Sequence, residues 1–106
     1  MRVHKMYVAD GELQPGVFRD QGDGMSTNWQ KYCPTPVEAR AKAKNPRDNG
    51  VIRLTVGPIR AIPLTVEHTP DVLRSDRSHT DVKGKKTAEA RLKLLEIAEW
   101  ALAIGE

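Results

Sequence analysis

The chain has 106 residues, a single cysteine, and a formal net charge of +3 from 17 basic and 14 acidic side chains. That length holds about one ordinary domain, and Cys33 alone excludes an intramolecular disulfide, which fits a reducing compartment and a cytoplasmic protein. Charge interrupts every apolar run (Lys93, Glu96 and Glu99 fall within residues 92–104), so neither a membrane span nor a secretory segment is expected.

Residues 2–9 alternate Val3, Lys5 and Tyr7 against His4, Met6 and Val8, and predict a first strand. Asp10-Gly11 and Pro15-Gly16 are turn dipeptides, Val17-Phe18-Arg19 offers a short extended piece, and residues 21–24 make a flexible turn into residues 25–29. Thr35-Pro36-Val37-Glu38 is a helix entry: a hydroxyl at the cap, proline at the first helical position and glutamate at the third. The body that follows, residues 39–44, is rich in alanine and lysine and predicts a surface helix, stopped by Asn45-Pro46.

Asp48-Asn49-Gly50 is a turn signal ahead of the best strand in the chain, residues 51–56. Gly57-Pro58 bends the chain, and residues 59–62 are expected to continue the sheet past a bulge. Residues 64–68 predict another strand, and residues 71–86 an irregular polar loop. Thr87 then caps a long helix from Ala88 to about Ala103. Leu94, Leu95, Ile97, Ala98, Ala101, Leu102 and Ile104 share one side of it, and Glu89 and Lys93 form an i, i+4 pair on the other. The expectation is a single α+β domain over residues 1–106. Its parts are a mostly antiparallel sheet of about four to six short strands, one short surface helix, and a long C-terminal helix packed on one face.

The charge is unevenly spread: residues 31–60 carry seven basic and two acidic groups. The basic set is Lys31, Arg40, Lys42, Lys44, Arg47, Arg53 and Arg60, with Lys83, Lys85 and Lys86 later in the chain. Trp29 and Tyr32 stand close enough in sequence to supply stacking surfaces beside it. No helix-turn-helix pair, zinc finger or aromatic ribonucleoprotein strand is present.

Four constellations bear on catalysis. His68-Thr69 and His79-Thr80 are two His-Thr dipeptides, and paired His-x-Ser/Thr elements belong to two-histidine phosphoesterases, in which both imidazoles flank a phosphodiester. Here threonine follows histidine directly, a departure from that pattern. His68, His79 and Asp81, with Asp71 or Asp76, offer imidazole and carboxylate groups to a metal, but at a spacing that matches no compact zinc motif. Cys33 sits near a helix N-terminus, which lowers a thiol pKa, without a catalytic signature around it. Residues 25–28 (Met-Ser-Thr-Asn) resemble the Ser-Thr-Ser strand of arginine-type ADP-ribosyltransferases, with Arg2 and Glu67 in the arginine and glutamate roles. The plainer expectation is a half-buried strand with hydroxyls toward solvent.

Asp23-Gly24-Met25-Ser26-Thr27-Asn28-Trp29, Thr35-Pro36-Val37-Glu38-Ala39-Arg40, Asn49-Gly50-Val51-Ile52, Val66-Glu67-His68-Thr69-Pro70 and Arg77-Ser78-His79-Thr80-Asp81-Val82 with Gly84 together resemble a group of small uncharacterised bacterial proteins. The resemblance runs from about residue 17 to residue 100. It implies that both histidine elements belong to a shared pattern and assigns no activity. The functional expectation is a non-catalytic accessory module that binds a macromolecule through its basic mid-chain surface. Its partner is a protein or a nucleic acid, RNA rather than DNA, and no cofactor, metal or membrane contact is expected. The alternative is a small enzyme acting on a phosphodiester or nucleotide through His68 and His79. A third reading, a subunit of a larger assembly, rests on an apolar patch around Trp100 on the last helix. Oligomeric state is left open.

Overall fold

In the computed structural model, which describes residues 1–106, the first half of the chain runs β1 (Arg2–His4), β2 (Val8–Ala9), β3 (Glu12–Leu13), β4 (Met25–Asn28), α1 (Pro36–Ala41) and β5 (Asn49–Arg53). The second half runs α2 (Val56–Ala61), β6 (Thr65–His68), β7 (His79–Lys83), α3 (Ala88–Ile97) and β8 (Glu99–Leu102). The architecture is α+β with antiparallel strands, but the strands divide into two three-stranded sheets, ordered β1-β5-β8 and β4-β7-β6, and a small β2-β3 hairpin. The Cα radius of gyration is 12.9 Å, as expected of a compact chain of this length.

The expected first strand stops at His4. Its Nδ1 accepts a hydrogen bond from the Met6 N–H at 3.1 Å and caps a 3-10 turn over Lys5–Tyr7. The hairpin then closes through Asp10 and Gly11, at φ +52° and +79°, the two left-handed residues that a tight two-residue hairpin turn requires.

Three further segments depart from expectation. The chain from Val56 to Ala61 is a helix and not a continued strand. Pro58 falls in its first turn, where a missing N–H is harmless, and the helix buries Ile59. The predicted loop over residues 71–86 contains β7, the central strand of the second sheet. The last helix ends at Ile97 instead of near Ala103, because Glu99–Leu102 pairs with the free edge of β5, whose buried backbone groups need partners. Trp100 therefore lies on a strand.

Between the sheets Val3, Phe18, Met25, Ile52, Val82 and Leu94 are almost fully excluded from water. A smaller cluster of Cys33, Ala39 and Val51 joins α1 to β5. The helix entries follow the sequence: Thr35 Oγ1 accepts from the Glu38 N–H at 3.2 Å, and Thr87 Oγ1 from the Ala90 N–H at 3.0 Å. No helix is long and apolar enough to cross a membrane.

Candidate functional site: an aromatic cavity between the sheets

The ladder carries β4 into the site. Asn28 is its last residue, and the Trp29 N–H continues the pairing by donating to the Ser78 carbonyl at 2.7 Å. The N–H groups of Tyr32 and Cys33 both turn back to the Trp29 carbonyl at 3.0 Å, so Trp29 and Tyr32 emerge from one tight turn. Their rings meet edge to face, 5.4 Å between centroids. His68, at the end of β6, completes the group: its ring is 5.0 Å from Trp29 and stacks on Tyr32 at 5.5 Å. The His68 Nε2 lies 2.6 Å from the Arg77 carbonyl, an acceptor, so that nitrogen donates and the ring is held.

Two cations sit on these rings. Lys31 Nζ is 5.4 Å from the Trp29 centroid and 5.5 Å from that of Tyr32, and the Arg77 guanidinium is 4.7 Å from Tyr32. Trp29 keeps 41% of its surface exposed while its N–H and its carbonyl are both held by backbone hydrogen bonds.

Beneath it lies a cavity of about 620 Å³ between the two sheets, of the size that holds a small organic ligand. Trp29 and His68 stand on one wall, and Val51, Ile52 and Ile59 supply apolar floor. Arg53 and Arg60 bring its only fixed charges, and no aspartate or glutamate lines it.

A polar brace fixes this end of β4. Asp76 Oδ1 accepts from Ser78 Oγ at 2.6 Å and from the Ser78 N–H at 3.1 Å. Asn28 Nδ2 donates to Ser78 Oγ at 2.8 Å, and Lys42 pairs with Asp76 at 3.4 Å. Burial alone would raise the Asp76 carboxyl, but the two Ser78 hydrogen bonds and the Lys42 charge outweigh it and hold the group below the usual carboxylate range.

The basic residues singled out in the sequence do not form one patch. Arg53 and Arg60 line the aromatic cavity and Lys31 lies over its rings. Arg40 bonds the Glu106 carbonyl, Lys42 and Lys44 line a different cleft, and Arg47 lies in the 3-10 turn Pro46–Asp48. Lys86 is withdrawn from solvent altogether, with its side chain 3% exposed, donating to Asp20 at 2.7 Å and to the Val82 and Gly84 carbonyls.

The histidines also separate. His68 pairs with Thr80 across the β6–β7 ladder, so His79, one residue earlier, projects from the opposite face of that sheet. His79 Nδ1 is 2.8 Å from the Thr69 carbonyl and therefore donates, leaving Nε2 facing Ser26 Oγ at 3.4 Å and Asp81 Oδ1 at 3.9 Å. Two imidazoles on opposite faces cannot flank one phosphodiester. No group of three or more His, Cys, Asp or Glu side chains is placed to hold a metal ion. Cys33 is buried, and burial pushes its thiol up with Lys42 pulling the other way, so it lacks the lowered pKa that its place before α1 suggested. Glu67 is paired with Lys83 at 2.8 Å.

In the sequence Arg77 and Ser78 carry no site role, and Asp76 is offered only as a metal carboxylate, not as a brace for β4. They fall in what reads as a featureless polar loop, and only the ladder between β4 and β7 brings them beside Trp29. Compared with known proteins, the chain matches no family model, no curated protein and no solved structure.

Proposed function

We propose that this protein is a non-catalytic binding module for single-stranded RNA, acting as a cytoplasmic accessory factor, and that Trp29 stacks against a base at the mouth of the inter-sheet cavity. The observation that carries this reading is the exposed, backbone-anchored Trp29 ring set above a cavity whose only fixed charges are Arg53 and Arg60. An aromatic face takes any base, while nearby cations take the phosphates that flank it. An apolar protein side chain entering the same cavity would need neither the arginines nor the cations held over Tyr32. These features favour a nucleic-acid partner over an apolar protein side chain. RNA is favoured over duplex DNA because the stacking surface is reachable only by an unpaired base.

Fluorescence anisotropy with a labelled single-stranded oligoribonucleotide of about ten nucleotides tests this. Wild-type protein is expected to bind saturably. Trp29→Ala is expected to weaken binding on the order of tenfold, the loss of one stacked base. Equal binding by Trp29→Ala, or no binding at low salt, would sink the reading and return the cavity to a protein partner.

A further inference from the structure

A second cleft, of about 530 Å³, opens on the other face of β4. It meets the aromatic cavity only at Met1, Thr27 and Asn28, which line both. Its composition is lopsided. Arg2, Arg19, Lys42, Lys44 and Arg74 all line it, His4 and His79 join them, and no aspartate or glutamate does. The chain carries 14 acidic residues, so the segregation is pronounced.

The pairing of these cations shows which remain available. Lys42 is held by Asp76 at 3.4 Å, Arg74 by Asp71 at 3.7 Å, and Arg19 lies over the Tyr7 ring at 5.7 Å. Arg2 has none of these. It projects from β1, is half-buried, and its side chain donates no hydrogen bond and forms no ion pair; Asp76 acts on it only through its field. The single buried and unpartnered side-chain nitrogen in the molecule is Arg91 Nε, so the Arg2 nitrogens reach the water of the cleft. Burial is the main cost to the Arg2 guanidinium, and an anion paired with it in the cleft offsets that cost. Ser26 and Asn28 stand on the facing strand, and a hydroxyl there can donate to the same anion.

From this arrangement we infer that the cleft between β1 and β4 is a second binding site, for a phosphate or diphosphate group, with Arg2 as its principal counter-charge and Lys44 as its outer one. Guanidinium forks match phosphate oxygens in pairs, and cations on several sides suit a group of charge −2 or more. A carboxylate ligand would leave most of them unused. The site does not depend on Trp29, which lies on the far side of β4, so it stands or falls apart from the RNA reading.

Proton–nitrogen correlation NMR on the full chain, titrated with inorganic pyrophosphate, is the test. Saturable shifts are expected at Ser26, Lys44 and His79, unchanged in Trp29→Ala and weakened at least about tenfold in Arg2→Gln. Should Arg2→Gln fail to fold, the exposed double substitution Arg19→Gln/Lys44→Gln must produce the same weakening. Shifts confined to Arg53 and Arg60, shifts that never saturate, or a variant that binds like wild type would overturn the inference. The source of the phosphate is then read by comparison. Stronger binding of a 5′-phosphorylated oligoribonucleotide than of its 5′-hydroxyl form assigns an RNA end, and stronger binding of a nucleoside diphosphate than of either assigns a free nucleotide.

Discussion

At the scale of single residues, Lys86 steadies the far end of β7 and Asp76 the end of β4 beside the site. Lys86 satisfies its ammonium with Asp20 and two backbone carbonyls in an almost dry position. Lys86→Met is expected to cost about 2 kcal/mol, because the carbonyls lose a charged donor; chemical denaturation checks it. Asp76 has its folded pKa below the unfolded value of about 3.9, so its contribution is present above that value and fades as pH falls through the lower folded one. Asp76→Asn should therefore be less stable than wild type at neutral pH, by about 1–2 kcal/mol. The deficit should shrink below about pH 4. Thermal melts across that range check the sign, and a constant deficit would contradict it.

Elements show what sequence makes legible and what it hides. Local signals were reliable where local chemistry decides: the Thr35 and Thr87 caps, the Asp10-Gly11 hairpin and the Glu89–Lys93 pair at 3.2 Å all form as their residues imply. Segments chosen by distant partners were not. Ala101 and Leu102 belong to a helical apolar stripe in the sequence, yet residues 99–102 form β8 because β5 has an edge to fill. Residues 79–83 look polar because β7 alternates, with Thr80 and Val82 buried and His79 and Asp81 turned outward. For the same reason the sequence showed that Trp29, Tyr32, Arg53 and Arg60 were candidates but not that His68 and Arg77 would join the rings. Gly50 lets β8 lie close against β5: an added Cβ would lie 2.7 Å from the Leu102 carbonyl and 2.9 Å from the Trp100 ring. Gly50→Ala is expected to destabilise the fold by about 2 kcal/mol or more, through a forced shift of β8, and denaturant midpoints check it.

On the scale of the whole molecule, the net charge of +3 conceals two separate cationic openings on the two faces of β4. If RNA lies across the aromatic cavity with its phosphates on Arg53, Arg60 and Lys31, only a few counterions are released. Raising salt from about 50 to 200 mM should then weaken binding on the order of tenfold, as an anisotropy series would show. A far steeper dependence would mean that the lysines of the other cleft share the same ligand.

Stacking of a base on Trp29 is reported most directly by the emission of that one indole. With Trp100→Phe removing the second tryptophan, titration of a single-stranded oligoribonucleotide should quench Trp29 stoichiometrically, in step with the anisotropy of the labelled strand. Binding that leaves Trp29 emission unchanged would place the nucleic acid elsewhere and contradict the account.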